Sequence, residues 1–131
     1  MTTPFALKIP ADVDHLADGR RQVRRWLADE GLDAVIAGDL LAVASEFLLH
    51  AIVRSGGNGT VRLIGERGPG GVRLAVQAEA ATVDAPRRLR LPDDPLVDGG
   101  IGRRMVEECC DDLRIRTDGA TASAECWRGV A

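Results

Sequence analysis

Apolar residues in this chain follow two different periods. Phe5-Ala6-Leu7-Lys8-Ile9 alternates as a short strand and stops at Pro10. From Asp12, an N-cap residue type, Val13, Leu16, Val23, Trp26 and Leu27 trace one face of a helix to about Glu30, where Gly31 ends it. A second long helix fits Ala34 to Ser55, with Ile36, Leu40, Val43, Phe47 and Ala51 on its stripe, and Gly56-Gly57-Asn58-Gly59 stops it. Alternation returns from Thr60 to Arg67, turns at Gly68-Pro69-Gly70-Gly71 and resumes at Val72, Leu74, Val76 and Ala78.

Between Thr82 and Asp98 the periodicity lapses and Pro86, Pro92 and Pro95 appear, which predicts a functional loop or lid over about 82–98. A third helix comes next, with Ile101, Met105, Val106 and Cys109 at helical spacing, and then strands over Leu113–Thr117 and Thr121–Trp127 about a turn at Asp118-Gly119. The order β-α-α-β-β-lid-α-β-β predicts an α+β fold. It is a two-layer sandwich in which a mixed, mostly antiparallel sheet is covered on one face by about three helices, as one domain over residues 1–131. Neither internal repeats nor low-complexity segments interrupt it.

Composition narrows the classes. With 131 residues, 45% of them apolar but only Phe5, Phe47, Trp26 and Trp127 aromatic, the core is aliphatic. A formal net charge of −3 and a sequence pI of about 5.4 argue against nucleic acid or an anionic membrane as the main partner. There is no basic leader followed by an apolar run, and no uninterrupted apolar run of membrane-spanning length, so a cytoplasmic protein is expected. Cys109, Cys110 and Cys126 are odd in number and two are adjacent, unlike a disulfide framework or a metal site; they read as small hydrophobes in a reducing compartment.

Candidate chemistry begins at Asp98-Gly99-Gly100-Ile101-Gly102. Glycines at a helix entrance leave backbone N–H groups pointing outward at the positive end of the helix dipole, an arrangement that suits phosphate. Tight entry into a closely packed helix would use the same glycines. Glu46 and His50, four residues apart, share one helical face, as a base beside a ligand or as a plain i,i+4 pair. Arg20, Arg21, Arg24 and Arg25 form a basic flank opposite the Val23/Leu27 stripe, and His15 lies near the start of that helix as an ordinary exposed imidazole.

The order of these parts resembles the ATP-binding domain shared by gyrase, Hsp90, histidine kinases and MutL. Within that group it is most similar to the small bacterial anti-sigma factor serine/threonine kinases of the RsbW and SpoIIAB type. The resemblance runs from Phe5 to Trp127. Its most specific segments are Ser45-Glu46-Phe47-Leu48-Leu49-His50-Ala51-Ile52, similar to the family's "SELVTNAV" helix, and Gly99-Gly100-Ile101-Gly102 onward to Asp112, similar to its "GxGLxLVxxLxDEV" segment.

The resemblance implies that Glu46 stands at the general-base position and that His50 replaces the family's Mg²⁺-chelating Asn. Magnesium is a hard ion that takes oxygen ligands in octahedral geometry, so an imidazole nitrogen is a poor replacement. The family's Asp-x-Gly-x-Gly, which holds the adenine amino group, is represented by Gln77-Ala78-Glu79-Ala80-Ala81-Thr82, where Glu79 is the one stand-in for the Asp. Gly99, Gly100 and Gly102 remain where phosphate would meet the helix. Arg87, Arg88 and Arg90 in the lid would reach phosphate in a working site or contact a partner.

In function, the resemblance implies a cytoplasmic regulator acting by protein–protein binding to a sigma factor or a STAS-type antagonist, with weak or lost Mg-ATP binding. Arg20, Arg21, Arg24 and Arg25 would grip an acidic partner surface. Homodimerisation is a further implication. Two alternatives stand beside it: an active ATP-dependent serine/threonine kinase with Glu46 as base, and a nucleotide sensor without turnover.

Overall fold

Alternation in the strands sends one set of side chains toward the helices and the other to the opposite face, which no described helix covers. The computed structural model describes residues 4–79, 91–118 and 121–130, with Glu79, Asp118 and Thr121 described by their backbone alone. Its elements are β1 (Phe5–Pro10), α1 (Leu16–Asp29), α2 (Ala34–Arg54), β2 (Thr60–Gly68), β3 (Gly71–Glu79), α3 (Ile101–Cys109), β4 (Asp112–Asp118) and β5 (Thr121–Gly129). The sheet runs β1-β2-β3-β5-β4. Every pairing in it is antiparallel, so no parallel pair accompanies them among the described strands.

Leu7 and Ile9, Val61 and Leu63, Val72, Leu74 and Val76, and Ala122, Ala124 and Cys126 all point at the helical layer and are buried. Phe47, Leu48 and Ile52 of α2 and Val23 and Leu27 of α1 meet them, with no exposure above 2%. Each such apolar side chain contributes about 1.5–3 kcal/mol by leaving water. Over its most apolar window α2 has a mean hydropathy of 1.7, and by length and composition it would cross a membrane. Here its apolar residues are core, packed between the sheet, α1 and α3.

Two boundaries differ from the periodicity. Asp12 caps a single 3-10 turn, Val13–His15, its side chain accepting from the Asp14 N–H at 2.9 Å, and α1 proper begins at Leu16. At the other end α3 stops at Cys109, because Cys110 is already extended and the Asp111 N–H donates to the Trp127 carbonyl at 2.8 Å. Cys109 and Cys110 therefore do not share a helix; both are half-buried, while Cys126 is in the core.

Candidate functional site

α2 delivers both residues singled out on it, but to different depths. Glu46 is half-buried, and burial raises its carboxyl above the usual carboxylate range while the Arg20 guanidinium partly opposes that. His50 is buried at 1% exposure, too deep for an exposed i,i+4 pair with Glu46. Its partner comes from the loop before α3: the Nδ1–H donates to Asp94 Oδ1 at 2.7 Å. The same oxygen accepts from the Leu96 N–H at 2.9 Å, and the second oxygen lies 4.0 Å from Arg54 Nε.

Arg103 of α3 holds the other side of that loop. Its guanidinium donates to the Leu96 carbonyl at 3.1 Å and pairs with Glu107 at 2.9 Å and Asp98 at 3.4 Å. Leu96 itself is buried in the core. Residues 94–98 are thus fastened to α2 through Asp94 and to α3 through Arg103. A cavity of about 370 Å³ remains between His50, Arg54, Asp94, Asp98, Arg103 and Thr117.

The three glycines serve separate ends. Gly99 has φ +77°, a left-handed conformation costly for any residue with a Cβ. Gly100 is the α3 N-cap, with no side chain capping the helix, and its N–H donates to the Val97 carbonyl at 3.0 Å. A Cβ on Gly102 would sit 2.5 Å from the Pro95 carbonyl oxygen and 3.2 Å from Glu46 Oε2. Gly102 is therefore a close-approach residue, and it brings the Glu46 carboxylate to the entrance of α3.

Arg20, Arg21, Arg24 and Arg25 are all exposed on α1, with Arg21 3.5 Å from Asp18. His15 is exposed at the end of the 3-10 turn. The side chain of Glu79 and the lid residues Arg87, Arg88 and Arg90 lie outside the described residues, as does the lid from 82 to 90.

The sequence matches the histidine kinase-like ATPase domain over residues 9–124. This chain belongs to that family. A crystal structure of the RsbU and RsbW domains of Rv1364c from Mycobacterium tuberculosis superposes with a TM-score of 0.71 at 22% identity, covering 97% of this chain. This chain spans about a third (32%) of that one. No curated protein matches the sequence.

Membership in the histidine kinase-like ATPase family suggests nucleotide binding, and the donor set decides how far Mg²⁺ fits. The imidazole offers nitrogen only, and its Nδ1 is committed to Asp94. The other nitrogen, Nε2, is buried with no hydrogen-bond partner among the described residues. No group of three or more metal-ligating side chains occurs among the described residues. A hard octahedral ion that retains several waters does not fit a buried imidazole. Asp94, Arg54 and Arg103 were not singled out by sequence reasoning. Asp94 is 44 residues from His50, and its only local signal is that it is one of two adjacent carboxylates, Asp93-Asp94, between Pro92 and Pro95.

Proposed function

We propose that this domain is a cytoplasmic, protein-binding regulator of the anti-sigma type whose Mg-ATP binding is weak or lost. Its partner would be a sigma factor or a STAS-domain antagonist. The His50–Asp94 hydrogen bond carries this reading. Where the family resemblance calls for a carboxamide oxygen facing a metal, this chain has a buried imidazole already engaged by its own loop. The same loop is fastened by the Leu96 N–H, which donates to Asp94, and by Arg103, which donates to the Leu96 carbonyl.

Partner contact falls to the exposed arginines of α1. Guanidinium groups clamp carboxylates bidentately, and Arg20, Arg21, Arg24 and Arg25 present four of them on one helix. Arg20 also acts on Glu46, which links that surface to the cleft. The solved neighbour, in which an RsbW domain accompanies an RsbU domain, supports a role among interacting proteins.

Thermal shift and calorimetry with ATP, with and without Mg²⁺, test the reading. A ligand at ten times its dissociation constant stabilises the fold by about 1.4 kcal/mol. The expected result is no Mg-dependent shift at millimolar ATP. His50→Asn should not create tight Mg-ATP binding, since it also removes the imidazole N–H that Asp94 accepts from.

One observation favours the kinase alternative. A half-buried Glu46 with a raised pKa beside the entrance to α3 has the character of a general base. That reading requires Mg-dependent phosphate transfer to a serine of the antagonist, removed by Glu46→Gln. A clear Mg-dependent ATP shift would overturn the regulator reading; no shift with any nucleotide would overturn both the kinase and the sensor.

A further inference from the structure

The cysteines, all free thiols, gather where α3 hands over to β4. The Asp111 N–H donates to the Trp127 carbonyl while Asp112 also pairs with Trp127, so two residues face one, as in a β-bulge. That offset draws Cys110 one position closer to Cys126 than a regular ladder would. The two side chains are in hydrogen-bonding contact, the Cys126 S–H donating to the Cys110 sulfur. Cys126 has no exposure, whereas Cys110 is half-buried. Arg128, which pairs with Asp39 and donates to the Cys109 carbonyl, brings positive charge to the same place.

The three sulfurs are not equivalent. A thiolate, rather than a thiol, attacks oxidants. The hydrogen bond from Cys126 holds the Cys110 thiol below its ordinary range, with help from Arg128 and against burial, Asp111 and Asp112. Cys126 is pushed up by giving that hydrogen bond and by its burial. Burial and Asp39 push Cys109 up as well, and its sulfur is turned to the Met105 sulfur at 3.8 Å. One sulfur is therefore both reachable and activated, and the sulfur in contact with it is hidden from solvent.

We propose that Cys110 is a site of reversible oxidation by hydroperoxides, with Cys126 as the thiol that resolves it into an intrachain disulfide. In the first step the Cys110 thiolate attacks one oxygen of hydrogen peroxide. An S–O bond forms, the O–O bond breaks, and hydroxide leaves and is protonated. Cys110 is oxidised by two electrons to a sulfenic acid, and the peroxide is reduced to water. In the second step the Cys126 sulfur attacks the Cys110 sulfur. The S–S bond forms, the S–O bond breaks, and hydroxide leaves with the Cys126 proton as water. The two sulfurs must close to about 2.05 Å. Cys110 and Asp111 belong to neither α3 nor β4, so this link can move while both elements stay in place. A bridge there would fasten the end of α3 to β5, and α3 carries Gly102 and Arg103 of the cleft at its other end. In a reducing compartment such a bridge is transient, which is the form that redox sensing takes there.

This chemistry depends on neither nucleotide nor the α1 surface. Its test exposes the folded, reduced protein to a small excess of hydrogen peroxide, quenches with catalase, and counts thiols in denaturant with Ellman's reagent. Two of the three thiols should be lost and be recovered with dithiothreitol, and peptide mapping should join Cys110 to Cys126. Cys110→Ser should slow thiol loss at least about tenfold, whereas Cys109→Ser should react as the parent does. Cys126→Ala removes the hydrogen-bond donor and the resolving thiol together. It should leave Cys110 as a sulfenic acid that dimedone traps, and the pH profile of its reaction should move upward. Circular dichroism verifies each fold, and the half-buried Cys110→Ser carries the test by itself if the core variant Cys126→Ala does not fold. Four outcomes would overturn the proposal. They are retention of all three thiols, a bridge that includes Cys109, a disulfide-linked dimer in place of the intrachain bridge, and thiol loss undiminished in Cys110→Ser.

Discussion

A methyl group at Gly102 has two effects of opposite sign. In a helix, Ala is favoured over Gly by up to about 1 kcal/mol. Against that, the new Cβ would lie 2.5 Å from the Pro95 carbonyl, a backbone atom that cannot swing aside. Overpacking of this kind costs about 1–3 kcal/mol, so the clash wins. Gly102→Ala should lower the urea-unfolding free energy by about 1 kcal/mol or more; a stabilised variant would show that α3 and the loop are not this close. Glu46 gives the pH-dependent counterpart. Burial raises its folded pKa above the unfolded value, with Arg20 opposing. The stability that this carries is present below the unfolded pKa and is lost as pH rises through the folded one. At neutral pH the charged carboxylate is therefore a liability, and Glu46→Gln should raise the melting temperature there, with the gain vanishing below about pH 4. A gain that persists in acid would assign it to packing instead. The glycines and Glu46 were legible as positions in the sequence. The reason for Gly102 was not, because close approach to Pro95 exists only once α3 has docked.

Among the elements, α2 sets the phase on which the cleft depends, since it carries Asp39, Glu46, His50 and Arg54. Its start is fixed by Asp33, whose side chain accepts from the Val35 N–H at 2.8 Å. Removing such a cap costs about 1 kcal/mol, so Asp33→Ala should lower the urea-unfolding free energy by about that amount, while Asp33→Ser should largely retain it. Equal loss in both variants would mean that the cap does not hold α2. Helix and strand identities were readable from periodicity because each face is chemically distinct: Val61 and Leu63 face the core while Arg62 faces water. Boundaries were less readable where two elements compete for one residue. Asp12 caps a 3-10 turn instead of α1, and Cys110 leaves α3 so that Asp111 can begin pairing with β5. The His50–Asp94 bond was hidden for a related reason. A helix pattern shows which way His50 points, but not which loop residue arrives there from 44 positions away.

For the molecule as a whole, the two layers are joined by more than apolar contact. Arg128 of β5 pairs with Asp39 of α2 at 3.1 Å and donates to the Cys109 carbonyl at the end of α3 at 2.8 Å. One basic residue on the sheet thus ties both neighbouring helices, which argues that sheet and helices unfold together. The two tryptophans report from opposite sides of that joint. Trp26 is 9% exposed, stacks on Phe5 with ring centroids 5.2 Å apart, and fills the space left by Gly65. Trp127 is 37% exposed on the open sheet face. If the chain is one domain, urea titrations of Trp127→Phe, which leaves Trp26 as the reporter, and Trp26→Phe, which leaves Trp127, should each be a single transition whose midpoint coincides with that from circular dichroism of the same variant. Trp26→Phe starts from lower stability because it vacates part of the core, so coincidence is judged within each variant. A Trp127 transition well ahead of the circular-dichroism one would mean that the β4–β5 hairpin melts on its own. In that case the Arg128 link would not couple the open face to the helical layer that carries His50 and Glu46.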